Sequence, residues 1–529
     1  MIKLRQIKVS VTNDDYEVLQ DKVLSKLNIN KNELKNIKII KKSIDARDKN
    51  NVLFIYEVNV EVENEEKILR RKNSNVEKTF EKVYNPPLCG KNKLNHRPVI
   101  VGSGPCGLFC TLLLAENGYN PILIERGEKV EDRVNTVNLF WEKGILNKES
   151  NVSFGEGGAG TFSDGKLNTL VSDKENRILK VFNTFVDCGA PNEILYINKP
   201  HIGTNLLCKV LVNMRKKIIS LGGEIHYNSC LTDVLIDDNK IKSIIVNQTK
   251  QIDCDVLVLA IGHSARDTIE MLYEKNIIMS AKPFAVGVRV QHDQDMINES
   301  QYGKFKNYLP PASYKLTYQS KSGRGVYTFC MCPGGYVVNS SSEENHLIVN
   351  GMSDYERDSD NANSAVVVTV DSNDFGNNPL DGLEFQRKLE NYAYKICGGK
   401  IPVQLYKDYK LHKISTSFGK IKPVIRGNYS FADLNKLFPN YINDALKEGI
   451  DAFNNKIKGF SDDDVILAGV ESRTSSAVRI ERNEDLISSV DGIYPGGEGA
   501  GYSGGITTSS VDGIKIAEKI IEKYDKISK

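Results

Sequence analysis

One stretch limits this chain more than any other: His96 to Glu125, HRPVIVGSGPCGLFCTLLLAENGYNPILIE. A short apolar strand, Pro98 to Val101, runs into the glycine turn Gly102-Ser103-Gly104-Pro105-Cys106-Gly107. An apolar helix, Leu108 to Asn117, follows, and Gly118 supplies its C-cap. A second strand, Pro121 to Ile124, ends on Glu125. This is G-x-G-x-x-G in the strand–turn–helix–strand setting that gives the motif meaning. Gly102 permits the tight turn, Gly104 lets a pyrophosphate approach the backbone, and Gly107 lets helix and strand lie close together. The helix N-terminus then offers free N–H groups and a positive dipole end to the phosphates. Glu125 falls about 20 residues after the motif, where a carboxylate accepts hydrogen bonds from ribose hydroxyls. The expectation is a bound dinucleotide.

At 529 residues the chain exceeds one ordinary domain. Residues 1–90 read as a small N-terminal α+β accessory domain. They hold a strand from Ile2 to Val11, a helix capped by Asp14 or Asp15 and running to Leu27, and strands Ile37 to Ser43 and Val52 to Val62. Asn85-Pro86-Pro87 then breaks the chain. Residues 95–282 and 463–529 carry the glycine turns of a nucleotide-binding unit, and 283–462 reads as an inserted mixed β/α substrate domain with mostly antiparallel strands. A net charge of +2 gives no global field for DNA, RNA or a membrane, so the expected partner is a small-molecule substrate. The N-terminus lacks the apolar core of a signal peptide, and no apolar run reaches the roughly 18 residues of a span. Ten cysteines follow neither a disulfide framework nor zinc spacing, which points to a reducing cytoplasm and to no metal.

Further glycine clusters extend the nucleotide reading. Asn151 to Lys166, NVSFGEGGAGTFSDGK, is too rich in glycine for a stable helix or a central strand and suits backbone lying against a ligand. Asp253 to Gly262 is an apolar strand entering a turn, with a helix capped by Ser264 after it. Gly492 to Gly505 precedes a helix from Thr507 to Glu522, whose N-terminus would stabilise negative charge on a ligand.

The order of these motifs resembles the FAD-containing glutathione-reductase superfamily, in its p-hydroxybenzoate-hydroxylase-like branch. More closely, FGEGGAGTFSDGK, KPHIGT, AIGHSARDT, FCMCPGGYVV, NGMS with NANS, ESRTSS and GGEGAGYSGGI are similar to a family of FAD-dependent dehydrogenases, over nearly the whole chain. The resemblance implies an α/β fold: a Rossmann-like FAD-binding domain with an inserted mixed α+β substrate domain and a small N-terminal α+β domain. It implies an FAD-dependent oxidoreductase that passes hydride to or from flavin N5. Gly102, Ser103, Gly104, Pro105, Cys106 and Gly107 would hold the pyrophosphate, Glu125 the adenosine ribose, Arg126 the adenine and Arg133 a phosphate. Gly157, Gly158, Gly160 and Thr161 would bring backbone to the cofactor. Leu231 would touch adenine through its backbone, and Ala260 and Gly262 would form the central turn. Gly497 and Glu498 would meet ribityl or phosphate, with Glu498 standing where Asp is usual. Gly504, Gly505 and Ile506 would face the flavin pyrimidine edge. No second G-x-G-x-x-G follows a strand, so NAD(P)H is expected only as a transient electron donor in the substrate cleft. Two alternatives stay open: a flavoprotein that modifies RNA through its N-terminal unit, and a non-catalytic flavoprotein with FAD as a structural ligand.

The catalytic candidates are His201 and His263, each in a glycine-bearing turn, and Cys330 with Cys332. In a strand, i and i+2 share a face, and Pro333-Gly334-Gly335 ends this one abruptly. The two thiols either face the flavin or substrate or are small buried hydrophobes. Only Arg324 flanks them in sequence, so a depressed thiol pKa is not obvious. Cys106 and Cys110 lack the spacing of a redox disulfide. Arg266, Arg289, Arg473 and Arg479 are candidates for an anionic substrate or for inter-domain ion pairs.

Overall fold

The glycine turn sits where a parallel sheet needs it. The computed structural model describes residues 1–526 except 72 and 170. Its central five-stranded sheet has the order Ile493–Pro495, Leu257–Leu259, Val99–Val101, Ile122–Ile124, Glu224–His226, and every pairing is parallel. These strands are only three residues each, and the first four are almost wholly buried. Such short apolar runs fit a sheet covered on both faces. The helices Pro105–Glu116 and Ile506–Lys523 pack on one another over one face, with Phe109, Leu113, Ile516 and Ile520 in the shared core. The first helix begins at Pro105, three residues before the expected Leu108, because proline is favoured in the opening turn, where no N–H is needed. A three-stranded antiparallel sheet, Leu231–Asp237, Lys240–Val246 and Lys250–Asp253, is inserted in the chain between the edge strand Glu224–His226 and the interior strand Leu257–Leu259.

A second layer is a seven-stranded sheet in the order Thr317–Gln319, Gly325–Cys332, Asn361–Val370, Phe284–Asp293, Ile466–Glu471, Ile401–Leu405, Tyr429–Phe431. All its pairings are antiparallel except the last. One of its central strands, Ile466–Glu471, lies beyond the expected boundary at 462. Its run ILAGVE, apolar up to Glu471, reads equally well as either kind of buried strand, and only pairing with Phe284–Asp293 and Ile401–Leu405 assigns it here. The helix after Leu257–Leu259 also differs. It starts at Arg266, its N-cap is Ala265, and no side chain caps it, so the expected Ser264 cap is absent.

The N-terminal unit is a four-stranded antiparallel sheet, Leu34–Asp45, Leu53–Val62, Ile2–Ser10 and Val76–Lys78, with the Tyr16–Leu27 helix on one face. Alternation in Leu53–Val62 buries Phe54, Tyr56, Val58, Val60 and Val62 in a core of its own. Among the described residues no helix is long and apolar enough to cross a membrane.

Candidate functional site

The C-terminal ends of all five parallel strands open into one cavity of about 540 Å³. Val101 and Gly102, Glu125 and Arg126, Ser229 to Leu231, Ala260 to Gly262, and Gly497 with Glu498 supply its wall from these ends. This is where open α/β sheets bind ligands. The Gly158 to Lys166 loop forms another side, Gly504 to Ile506 a third, and the seven-stranded sheet closes the cavity with Phe329, Cys330, Glu471, Arg473 and Thr474.

The glycines here divide into two kinds. A Cβ on Gly102 would lie 2.3 Å from the Ala260 carbonyl oxygen, and one on Gly107 would lie 1.8 Å from the Gly102 carbonyl oxygen. These positions let the chain touch itself. A Cβ on Gly104 would meet only Gly158 Cα, at 4.0 Å, while Gly262 and Gly504 have nothing within 4 Å. These three glycines line the cavity, so added side chains would fill it. No side chain caps either the Pro105–Glu116 helix or the Ile506–Lys523 helix, so both N-termini reach the cavity with unanswered N–H groups. A cradle of bare backbone bounded by two uncapped helix N-termini is a fit for the phosphates and the pyrimidine edge of FAD.

Glu125 is more occupied than its motif position suggests. One carboxylate oxygen accepts from the Ser103 N–H and hydroxyl, both at 2.8 Å, and the other from the Gly127 and Gly155 N–H groups, both at 2.9 Å. It ties the glycine turn to the second glycine loop while still lining the cavity. Arg126 lies over the Phe154 ring at 4.2 Å and is bridged by Glu149 and Asp267 at 2.9 Å. Leu231 lies in the same wall.

Arg133, expected at a phosphate, has a different task. It is fully buried and donates to the carbonyls of Asn151, Val152, Gly155, Glu156 and Gly158 and to the Thr161 hydroxyl. No N–H is left for a ligand, since a guanidinium has five. Arg133 shapes the loop. Gly157 and Thr161 also lie behind the cavity wall, Gly157 so close that a Cβ would reach Thr161 Oγ1 at 2.2 Å. Gly158 and Gly160 line the cavity itself. The loop is anchored from outside by Phe162, which meets Trp141 edge-on at 5.8 Å, while Trp141 donates to the Asn339 carbonyl at 2.8 Å.

At the inner end the Gly325–Cys332 strand is bulged between Phe329 and Cys332, and Cys330 has a φ of +43°. Cys330 lines the cavity while Cys332 is fully buried. The cations lie on neither side of the pair in sequence. Arg289 donates to the Cys330 carbonyl at 2.5 Å and reaches Cys332 Sγ at 3.7 Å, and Lys166 donates to the Met331 carbonyl. The Cys332 thiol, then Lys166 and Arg289, hold the Cys330 thiol below the ordinary range, while Cys332 is pushed above it. The flanking sequence made no such depression obvious, because these cations come from other elements. Arg324 pairs with Asp374 at 2.7 Å instead.

Two carboxylates share this end. Burial pushes Glu471 up to about 7, although Arg289 lies 3.0 Å away. Burial also pushes Glu498 up to about 7 against the pull of Lys282. His263 lines the cavity with Nε2 4.0 Å from Glu498, and burial, followed by Arg473 and Arg266, draws its pKa down to about 3, so the ring is neutral. His201 is not brought in. It stacks on Tyr355 at 5.3 Å, and its Nε2 lies 2.9 Å from the Tyr355 carbonyl, behind the loop. Of the four arginines, Arg473 reaches the cavity. Arg266 and Arg473 both hold Glu390 at 2.7 Å, Arg289 holds Glu471, and Arg479 lies 5.1 Å from the Tyr502 ring.

Lys166, Asp164 and Glu471 were not singled out in the sequence. Asp164 and Lys166 end the second glycine cluster, where opposite charges two residues apart in a glycine-rich loop were the available signal. Glu471 carried none, because its role depends on a strand pairing.

Comparisons with known proteins agree with an FAD-linked assignment. Residues 283–474 match the family described as FAD-dependent protein, C-terminal domain-like, and residues 1–61 match a domain of unknown function (DUF8436). An uncharacterised protein of Clostridium beijerinckii is 50% identical over 533 residues, covering 99% of both chains. Among solved structures, a flavin-dependent brominase is 13% identical over 80% of this chain and 77% of its own, with a TM-score of 0.35. Glycine oxidase from Bacillus cereus is 11% identical over 80% of this chain and 95% of its own, at 0.31. Likenesses at that level of superposition decide nothing about activity.

Proposed function

We propose that this chain, which belongs to the family of the Clostridium beijerinckii protein, is an FAD-dependent oxidoreductase acting on a small anionic substrate. The observation that carries the reading is the single cavity, joining the glycine turn of the parallel sheet to the Cys330 and Glu471 wall of the antiparallel one. In this reading 1–90 is an accessory unit, 95–282 with the segment after 474 holds FAD, and 283–474 forms the substrate side, as the extent of the family match supports.

Bound FAD supplies hydride transfer at N5, chemistry no side chain has. The chain supplies the rest. Backbone at Gly102 to Cys106 would hold the pyrophosphate, and Arg126 and Leu231 would hold the adenine. N–H groups at Gly504, Gly505 and Ile506 would serve the pyrimidine edge, where reduction adds negative charge. Arg473 and Lys166 line the inner end and are the cations an anionic substrate would meet there, each also paired, with Glu390 and Asp164. Glu471 and Glu498, poised at about 7, can each hold or release a proton at neutral pH. A nicotinamide donor would enter the same cleft transiently.

Anaerobic titration of the FAD-loaded protein with NADH and then NADPH tests the assignment through the oxidised-flavin absorbance. Bleaching identifies a nicotinamide-linked reductase. Bleaching only by a carboxylate metabolite identifies a substrate dehydrogenase. A flavin that no organic donor reduces would overturn the oxidoreductase reading.

A further inference from the structure

We infer that Cys330 and Cys332 form a reversible dithiol–disulfide couple that exchanges an electron pair with the flavin bound in the cavity. The inference rests on the FAD reading for its electron partner, but the couple itself is a property of the chain.

The geometry is unusual for two cysteines in a strand. In regular strand, residues i and i+2 stand about 6.6 Å apart at Cα, the outer limit for a disulfide. Here the strand is not regular: the register shifts between Phe329 and Cys332, and Cys330 takes a left-handed φ of +43°. Such a conformation is strained for a non-glycine residue and persists only where the surroundings impose it. Two cations from other elements impose it, Arg289 on the Cys330 carbonyl and Lys166 on the Met331 carbonyl. The fold curls Cys332 Sγ back to 3.3 Å from the Cys330 carbonyl oxygen. One sulfur faces the cavity and the other is sealed behind it, so Cys330 is the point of exchange and Cys332 the resolving thiol.

The charges around the pair support a thiolate at Cys330. Lys166 and Arg289 favour it, as does the neighbouring Cys332 thiol, whose S–H reaches the Cys330 carbonyl. Asp164, Glu471 and Glu498 oppose it, Asp164 being itself neutralised by Lys166 and Arg357. In the oxidising direction the Cys330 thiolate and the Cys332 thiol become one disulfide. They release one proton and two electrons, and oxidised FAD accepts all three. The reverse reaction cleaves the disulfide and restores thiolate and thiol. No other oxidant is required.

The test uses the full-length protein with and without FAD. The FAD-free chain is equilibrated in glutathione buffers of increasing oxidation, quenched in acid and alkylated, and the 330–332 peptide is analysed by mass spectrometry. The expected result is cooperative loss of both alkyl groups with a disulfide inside that peptide. Two thiols that stay alkylatable in every buffer would overturn the couple. The FAD-loaded, fully oxidised protein is then titrated with dithionite. Wild type should take four electrons per chain, and C330S or C332A two. Two electrons in wild type would overturn exchange with the flavin. A disulfide in a chain that binds no FAD would overturn the flavin reading and leave the couple standing.

Discussion

Gly102 and Gly104, two residues apart in one turn, should fail in opposite ways when substituted. Gly102 has a φ of +98°, and its added Cβ would lie 2.3 Å from the Ala260 carbonyl oxygen. The backbone conformation alone costs an L-residue roughly 1–2 kcal/mol. Relieving the clash means moving one backbone segment off another, for a total of about 3 kcal/mol on the scale of severe single substitutions. At about 2–4 °C per kcal/mol, the scale for an unfolding unit of roughly 150–250 residues such as the nucleotide-binding part, the transition of that unit in G102A should fall roughly 6–12 °C below wild type without any ligand. Gly104 has a φ of −70° and ψ of 179°, which any residue adopts. It is an N-cap, where threonine serves as well as glycine, and its Cβ would meet nothing closer than 4.0 Å. G104T should therefore melt within about 2 °C of wild type, its change staying near the ~0.5 kcal/mol of a neutral substitution. Its side chain fills the cradle, so FAD affinity should fall at least tenfold, or about 1.4 kcal/mol. Thermal unfolding of the apoproteins and quenching of FAD fluorescence measure the two effects. G104T binding FAD like wild type, or G102A melting unchanged, would refute the division of glycines into self-contact and ligand-contact positions.

Glu390 is fully buried between Arg266 and Arg473. Glu390→Gln leaves Arg266 and Arg473 with only the half-buried Glu343 as counter-charge and should cost about 3 kcal/mol in urea unfolding; a loss under 1 kcal/mol would contradict it. Glu471 holds its proton more tightly folded than unfolded, up to about 7 from the ordinary 4.5. The folded state thus binds the extra proton between these values, and stability falls as pH rises from about 4.5 to 7, by roughly 3 kcal/mol in all. Glu471→Gln should flatten that slope, and an unchanged slope would remove Glu471 as its source. Lys166→Met takes a cation from beside Cys330 and should move the pH profile of iodoacetamide labelling at that thiol upward, a shift that intact-mass kinetics would show or deny.

The nucleotide side of the cavity was legible because its chemistry is written in contiguous sequence. G-x-G-x-x-G, the A-x-G turn and the terminal glycines each follow a strand, and the structure brings all three into one wall. The inner end was not, because its groups converge from separate elements. Arg289 comes from the Phe284–Asp293 strand, Lys166 from the glycine loop and Glu471 from a strand that pairing alone assigns. Reading only the residues beside Cys330 in sequence therefore gave Arg324, whose partner is Asp374. Arg133 shows the opposite error. An arginine after a phosphate-binding motif suggests a phosphate contact, yet its environment is a ring of carbonyls that sequence spacing does not reveal.

The most direct test is the flavin content of the protein itself. Apoprotein is mixed with excess FAD, freed of unbound cofactor by gel filtration and read for flavin absorbance per chain. One FAD per chain in wild type, and less in G104T, is the predicted result. No retained flavin in a folded wild-type chain would contradict the account at its base.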